Sequence, residues 1–182
     1  MFRIDYSLGE HGWAIVKVRV EDTELSTHVS YIGAPLHELA LTAIKVLDPT
    51  IDPPSHPHTL GLIKFAGEPD GLILDVVDEV SGSFTFRHYE KTGLPPAETR
   101  KVFVTLSYSE DADNEKPDRQ ELAIEEISAV EFGTEAYRVL ASVVDESGLQ
   151  GYYDRWMGYF PLVEFAHLGR VLKLPTKTIP LW

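Results

Sequence analysis

The motif nearest to metal chemistry in this 182-residue chain is His56-Pro57-His58, two imidazoles one residue apart on a proline-stiffened stretch. Zinc or another borderline cation would take such a pair if further ligands came from elsewhere. No third ligand stands at a readable spacing and the chain has no cysteine, so the stretch reads as a solvated loop, with no metal and no cofactor expected. His88 with Asp75 or Asp78 is a second constellation, because a carboxylate beside an imidazole raises its basicity and orients it as a general base. No G-x-S-x-G, H-E-x-x-H, G-x-G-x-x-G or Walker pattern supplies a nucleophile or a phosphate cradle, so no catalytic residue is assigned. The trio is a structural hydrogen bond on a sheet face or, in the alternative reading, the polar wall of a small-molecule or hydrolase pocket.

Two further groups suit binding rather than catalysis. Tyr152, Tyr153, Arg155 and Trp156 form an aromatic and basic cluster of the kind that anchors an interface, with Tyr153 and Trp156 as the exposed-aromatic candidates and a place in the core as the other reading. From Glu110 to Glu131 stand nine carboxylates against Lys116 and Arg119, with Asp111, Asp113 and Glu115 in the first part of the run as candidate binding residues. That run is a landing surface for a basic protein or simply a solvated face.

Charge narrows the partner. A formal net charge of −13 repels phosphate backbones and attracts basic surfaces, which excludes nucleic acid as a favoured ligand. The absence of cysteine agrees with a reducing cytoplasm, and neither a signal-type start nor a run of about 18 apolar residues points to secretion or to a membrane span. The length suits one domain, 1–182, with a core that needs no staple.

The elements that must position these groups follow from periodicity. Phe2, Ile4 and Tyr6 alternate with polar residues, and Ala14, Val16, Val18 and Val20 alternate with Ile15, Lys17 and Arg19, so two strands flank the turn at 8–12 and a more polar third spans 24–30. Pro35 opens a helix over 34–47 whose stripe is Leu36, Leu39, Ala40, Ala43, Ile44 and Leu47. Four prolines between Asp48 and His58 force an irregular linker. Thr59 to Glu90 then reads as a three-strand meander, the centre of the fold, with Leu72, Leu74, Val76, Val80, Phe84 and Phe86 on one face. In that register Asp78 and His88 lie diagonally across the sheet; in the register with a two-residue turn, His88 faces Asp75. Arg100 to Tyr108 is a strand, Ser109 to Gln120 an exposed hydrophilic loop, and Glu121 to Phe132 the returning strand. Thr134 caps a helix that stops at Gly148, a short helical segment covers 151–158, and Phe160-Pro161 starts a last helix through Phe165 and Leu168. The predicted fold is α+β: a mostly antiparallel sheet with one helix after the first strands and C-terminal helices packed on one face.

In its early strand with Trp13, Ser30-Tyr31 before Leu36-His37-Glu38-Leu39, Phe65 followed by Glu68-Pro69, and the late Tyr153, Trp156 and Phe160-Pro161, the chain resembles small acidic bacterial proteins, some of the immunity type of polymorphic toxin systems. Charge, cysteine usage and the missing catalytic motifs lead to a non-enzymatic cytoplasmic binding protein with a basic partner, and the resemblance implies that it inhibits a toxin domain one to one. It assigns no catalytic residue.

Overall fold

Apolar and polar residues alternate through the first thirty positions, and that pattern becomes three antiparallel strands. β1 (Arg3–Leu8), β2 (Trp13–Val20) and β3 (Thr23–Ser30) form a sheet in the order β1-β2-β3. Pairing such as Tyr6 with Val16 and Val18 with Leu25 turns Ile4, Tyr6, Ala14, Val16, Val18 and Val20 inward and leaves Ile15, Lys17 and Arg19 outside. The computed structural model describes residues 1–49, 60–67, 70–78, 95–112, 118–175 and 177–179.

α1 (Pro35–Leu47) buries the expected stripe against the rest of the molecule, and Pro35 stands in its first turn, where a missing N–H costs nothing. Its C-terminal end receives the buried Arg100, whose guanidinium donates to the Val46 carbonyl; a cation there complements the negative end of the helix dipole.

A second sheet follows in the order β4-β5-β6-β7, formed by β4 (Gly61–Ala66), β5 (Gly71–Asp78), β6 (Lys101–Ser109) and β7 (Gln120–Ser128), all antiparallel. Leu72, Leu74 and Val76 share the core face as expected, together with Val102, Val104 and Leu106 of β6. The meander is corrected in one respect. β5 is paired with β4 through Val76 and with β6 from Gly71 to Asp78, so the neighbour after β4 is the strand at 101–109. Phe84, Phe86 and the hairpin expected around Ser81-Gly82 lie outside the described residues, as does most of the proline-rich linker.

The chain therefore builds two sheets where one was expected. β3 runs close to β4 without bonding to it. The Glu38 carboxylate of α1 instead accepts the Lys64 N–H of β4 at 2.8 Å, occupying a group that another strand would need. Ala112, read as part of an exposed excursion, is fully buried against Ala66 and Ile73, so the chain after β6 first folds back over β5 before turning polar.

The last strand also ends sooner than its apolar content suggests. β7 stops at Ser128 and α2 (Ala129–Trp156) begins at once, because Ser128 and Glu131 form a reciprocal cap: the Ser128 hydroxyl accepts the Glu131 N–H at 3.1 Å and Glu131 accepts the Ser128 N–H at 2.7 Å. Thr134 is thus inside the helix, not its cap. Gly148, with φ 63° and ψ −179°, breaks the helical path between residues 129–147 and the last two turns, as its expected stop signal implied. A sharp turn then leads to α3 (Leu162–Val171). Buried side chains from both sheets and from α1, α2 and α3 join in one cluster, with Phe65, Phe132, Leu140 and Leu168 fully enclosed. Each such side chain contributes about 1.5–3 kcal/mol through burial.

Candidate binding surface at the end of α2

The last two turns of α2 divide Tyr152, Tyr153, Arg155 and Trp156 between inside and outside. Tyr152 and Trp156, one turn apart, point into the core: Trp156 meets Tyr6 edge-on with ring centroids 6.0 Å apart, and Tyr152 meets Phe160 edge-on at 5.4 Å. Trp156 is only 4% exposed, which corrects its reading as an exposed anchor; it props the surface from beneath. Burial pushes the Tyr152 hydroxyl well above the ordinary phenol range, and burial followed by the proximity of Tyr152 does the same to Tyr6. Both are neutral phenols at any physiological pH.

Tyr153 and Arg155 face out, Tyr153 with 46% of its surface open. Met157 closes the helix in a left-handed conformation, φ 61°, and the turn it makes delivers Tyr159 to solvent at 89% exposure with its ring 5.5 Å from that of Tyr153. Leu162 and Val163, in the first turn of α3, continue the apolar area. The turn between β1 and β2 is fastened to the same place, since the Gly12 N–H donates to the Arg155 carbonyl at 2.6 Å and the exposed Tyr31 ring lies over Gly12, where a Cβ would collide with it. Glu10 and Asp154 are exposed on either side of this junction. Tyr153 and Arg155 were legible as candidates; Tyr31, Met157 and Tyr159 were not, because nothing in their spacing brings residues 31 and 159 to one end of the molecule.

The carboxylate run from Glu110 to Glu131 does not form one surface. Glu110, Asp111 and Asp118 line an open cleft with Tyr108 and Arg119 at the β6–β7 end. There the Tyr108 hydroxyl donates to Asp70 at 3.0 Å, a bond that raises the phenol above its ordinary value, and the Asp111 N–H donates to the Ser109 hydroxyl at 3.2 Å. Asp113 and Glu115 lie outside the described residues. Three others of the run do structural work: Glu125 accepts the Glu21 N–H at 2.7 Å, Glu126 pairs with Lys101 at 3.4 Å, and Glu131 caps α2.

Two members of the polar trio, Asp75 and Asp78, lie on β5. Asp75 forms an ion pair with Arg119, and both of its sheet edges are occupied, by Leu62 and by Thr105. Val76, which the diagonal register set opposite His88, is likewise flanked by Gly61 and Val104. Neither pairing expected for the third meander strand is therefore open on β5. Asp78 is buried at the end of β5 beside Val102. His88, His56 and His58 lie outside the described residues. Among the described residues no three of His, Cys, Asp and Glu gather as metal ligands, and no helix is long and apolar enough to cross a membrane.

No family model, no curated protein and no solved structure matches the chain.

Proposed function

We propose that the protein is a non-enzymatic binding protein whose partner is a basic protein, gripped by the aromatic surface at the end of α2 and drawn in by the acidic charge around it. The observation that carries this reading is the clustering of Tyr153, Met157 and Tyr159 in the open beside Arg155. Single exposed apolar residues are ordinary, but a group rich in Tyr, Met and Arg has the composition of an interface centre. The net charge of −13 selects a basic partner by steering its approach. Glu110, Asp111 and Asp118, with Asp113 and Glu115 next in sequence, add to that field at the β6–β7 end. The resemblance to immunity-type proteins gives the partner a form, a toxin domain in the cytoplasm that is occluded one to one.

Binding kinetics with the purified partner test this reading. Replacing Tyr153 and Tyr159 together by Ala should weaken the complex about ten- to a hundredfold, mainly through faster dissociation. Asp111→Asn, Asp113→Asn and Glu115→Gln together should slow association instead, and the difference should fade as salt shortens the screening length below about 8 Å. A partner whose kinetics ignore both sets of substitutions would remove the proposal.

A further inference from the structure

A different part of the molecule has the makings of a small-molecule site. α2, α3 and the segment after α3 line a partly open cavity of about 170 Å³. Its floor is the pair Tyr137 and Phe165, stacked with ring centroids 4.7 Å apart and planes 22° from parallel. Leu174 and Ile179 line the sides, and among the described residues the charged groups on its lining are two cations, Arg170 and Lys177.

The segment that shapes the cavity is held by backbone bonds. The N–H groups of Leu172, Lys173 and Leu174 donate to the carbonyls of Leu168, Arg170 and Gly169 at 2.9, 3.1 and 2.9 Å. Those bonds satisfy the last carbonyls of α3. Lys177 ties the same segment to α2 through an ion pair with Asp145. Arg170 forms no ion pair among the described residues; its described side-chain contact is His167 Nδ1 at 3.5 Å. In a chain of 29 acidic and 16 basic residues, a guanidinium beside an apolar slot locally reverses the prevailing charge.

We infer that this cavity takes a small monoanion with an apolar body, a carboxylate about the size of benzoate, its ring against Tyr137 and Phe165 and its carboxylate on Arg170. The volume fits, since an apolar cavity of roughly 150 Å³ accommodates benzene. The chemistry fits as well, because the Arg170 guanidinium offers two parallel donors to a carboxylate, whereas the Lys177 ammonium is already paired with Asp145. The overall charge of −13 disfavours adventitious anions, so retention of one requires this local exception.

Titration of the full chain with benzoate, benzyl alcohol and benzylamine, followed by chemical shifts of Tyr137 and Phe165, tests the inference. Benzoate should bind at least about tenfold tighter than the alcohol, and the amine should not bind. Arg170 is exposed, so Arg170→Gln should fold normally, remove the preference for benzoate and leave the alcohol unchanged. Equal affinity for acid and alcohol, an unaltered preference in Arg170→Gln, or shifts confined to residues outside the cavity would each overturn it. None of these outcomes bears on the protein-binding surface, which lies at the other end of α3.

Discussion

Glu135 and Arg138 sit one turn apart on α2 and together hold the outer edge of β1 at a single residue. Arg138 donates twice to the Glu135 carboxylate, at 2.8 Å from both Nε and Nη2. Glu135 in turn accepts the Ile4 N–H at 2.7 Å, and Arg138 donates to the Ile4 carbonyl. The hydrogen bond to Glu135 raises the guanidinium further above its ordinary value. An open strand edge invites pairing with another chain, and here a helix occupies it with side chains. Glu135→Ala should cost about 1–3 kcal/mol, because it leaves the Ile4 amide without its acceptor and removes two of the hydrogen bonds of Arg138. Chemical denaturation measures the loss, and light scattering should show concentration-dependent association of the variant at temperatures where the parent stays monodisperse. A variant as stable and as dispersed as the parent would show that the edge needs no cover.

Glu38 performs the matching task on β4, but from a more buried position. Burial raises its carboxyl above the ordinary value of 4.5, with the Lys64 N–H pulling in the other direction. The folded chain therefore holds this proton more tightly than the unfolded chain. Stability from the group is fully present below the unfolded pKa and falls as pH rises through the raised folded pKa. Glu38→Gln keeps an acceptor for Lys64 and removes the charge, so it should flatten the acid limb of the stability profile and be no less stable than the parent at pH 7. Urea melts at successive pH values from about 4 to 7 decide it. A Gln variant that is weaker than the parent at neutral pH would mean that the ionised carboxylate is the favoured form.

Tyr153 and Trp156 test the division of α2 into a buried and a presented side. Trp156→Ala empties a space between Tyr6 and Tyr152 and should destabilise by about 3–5 kcal/mol. Tyr153→Ala should change stability by no more than about 0.5 kcal/mol, since its ring packs chiefly on the still more exposed Tyr159. Thermal melts of the two variants should thus separate widely, and equal shifts would place both rings in the same environment.

Local periodicity by itself determined much of this fold. Alternation specified β1, β2, β3 and the inward face of β6; the apolar stripe and Pro35 specified α1; and Gly148 marked the break in α2. In each case the deciding interaction lies within a few residues, so the pattern carries it. The start of α2 was also written locally, in Ser128 and Glu131, but Val130 and Phe132 continue a strand-like alternation and masked the cap. Which face of a helix turns inward is another matter. Spacing places Tyr152 and Trp156 on one side, yet only Tyr6 and Phe160, distant in the chain or beyond a turn, make that side the core and leave Tyr153 with Tyr159 outside. Likewise, β5 takes the strand at 101–109 as its second neighbour, and Glu125 and Glu131, from the acidic run, become partners of backbone amides. Strand order and the pairing of buried polar groups depend on contacts that close loops of many residues, and their free energy comes from surfaces that meet only once the chain has folded.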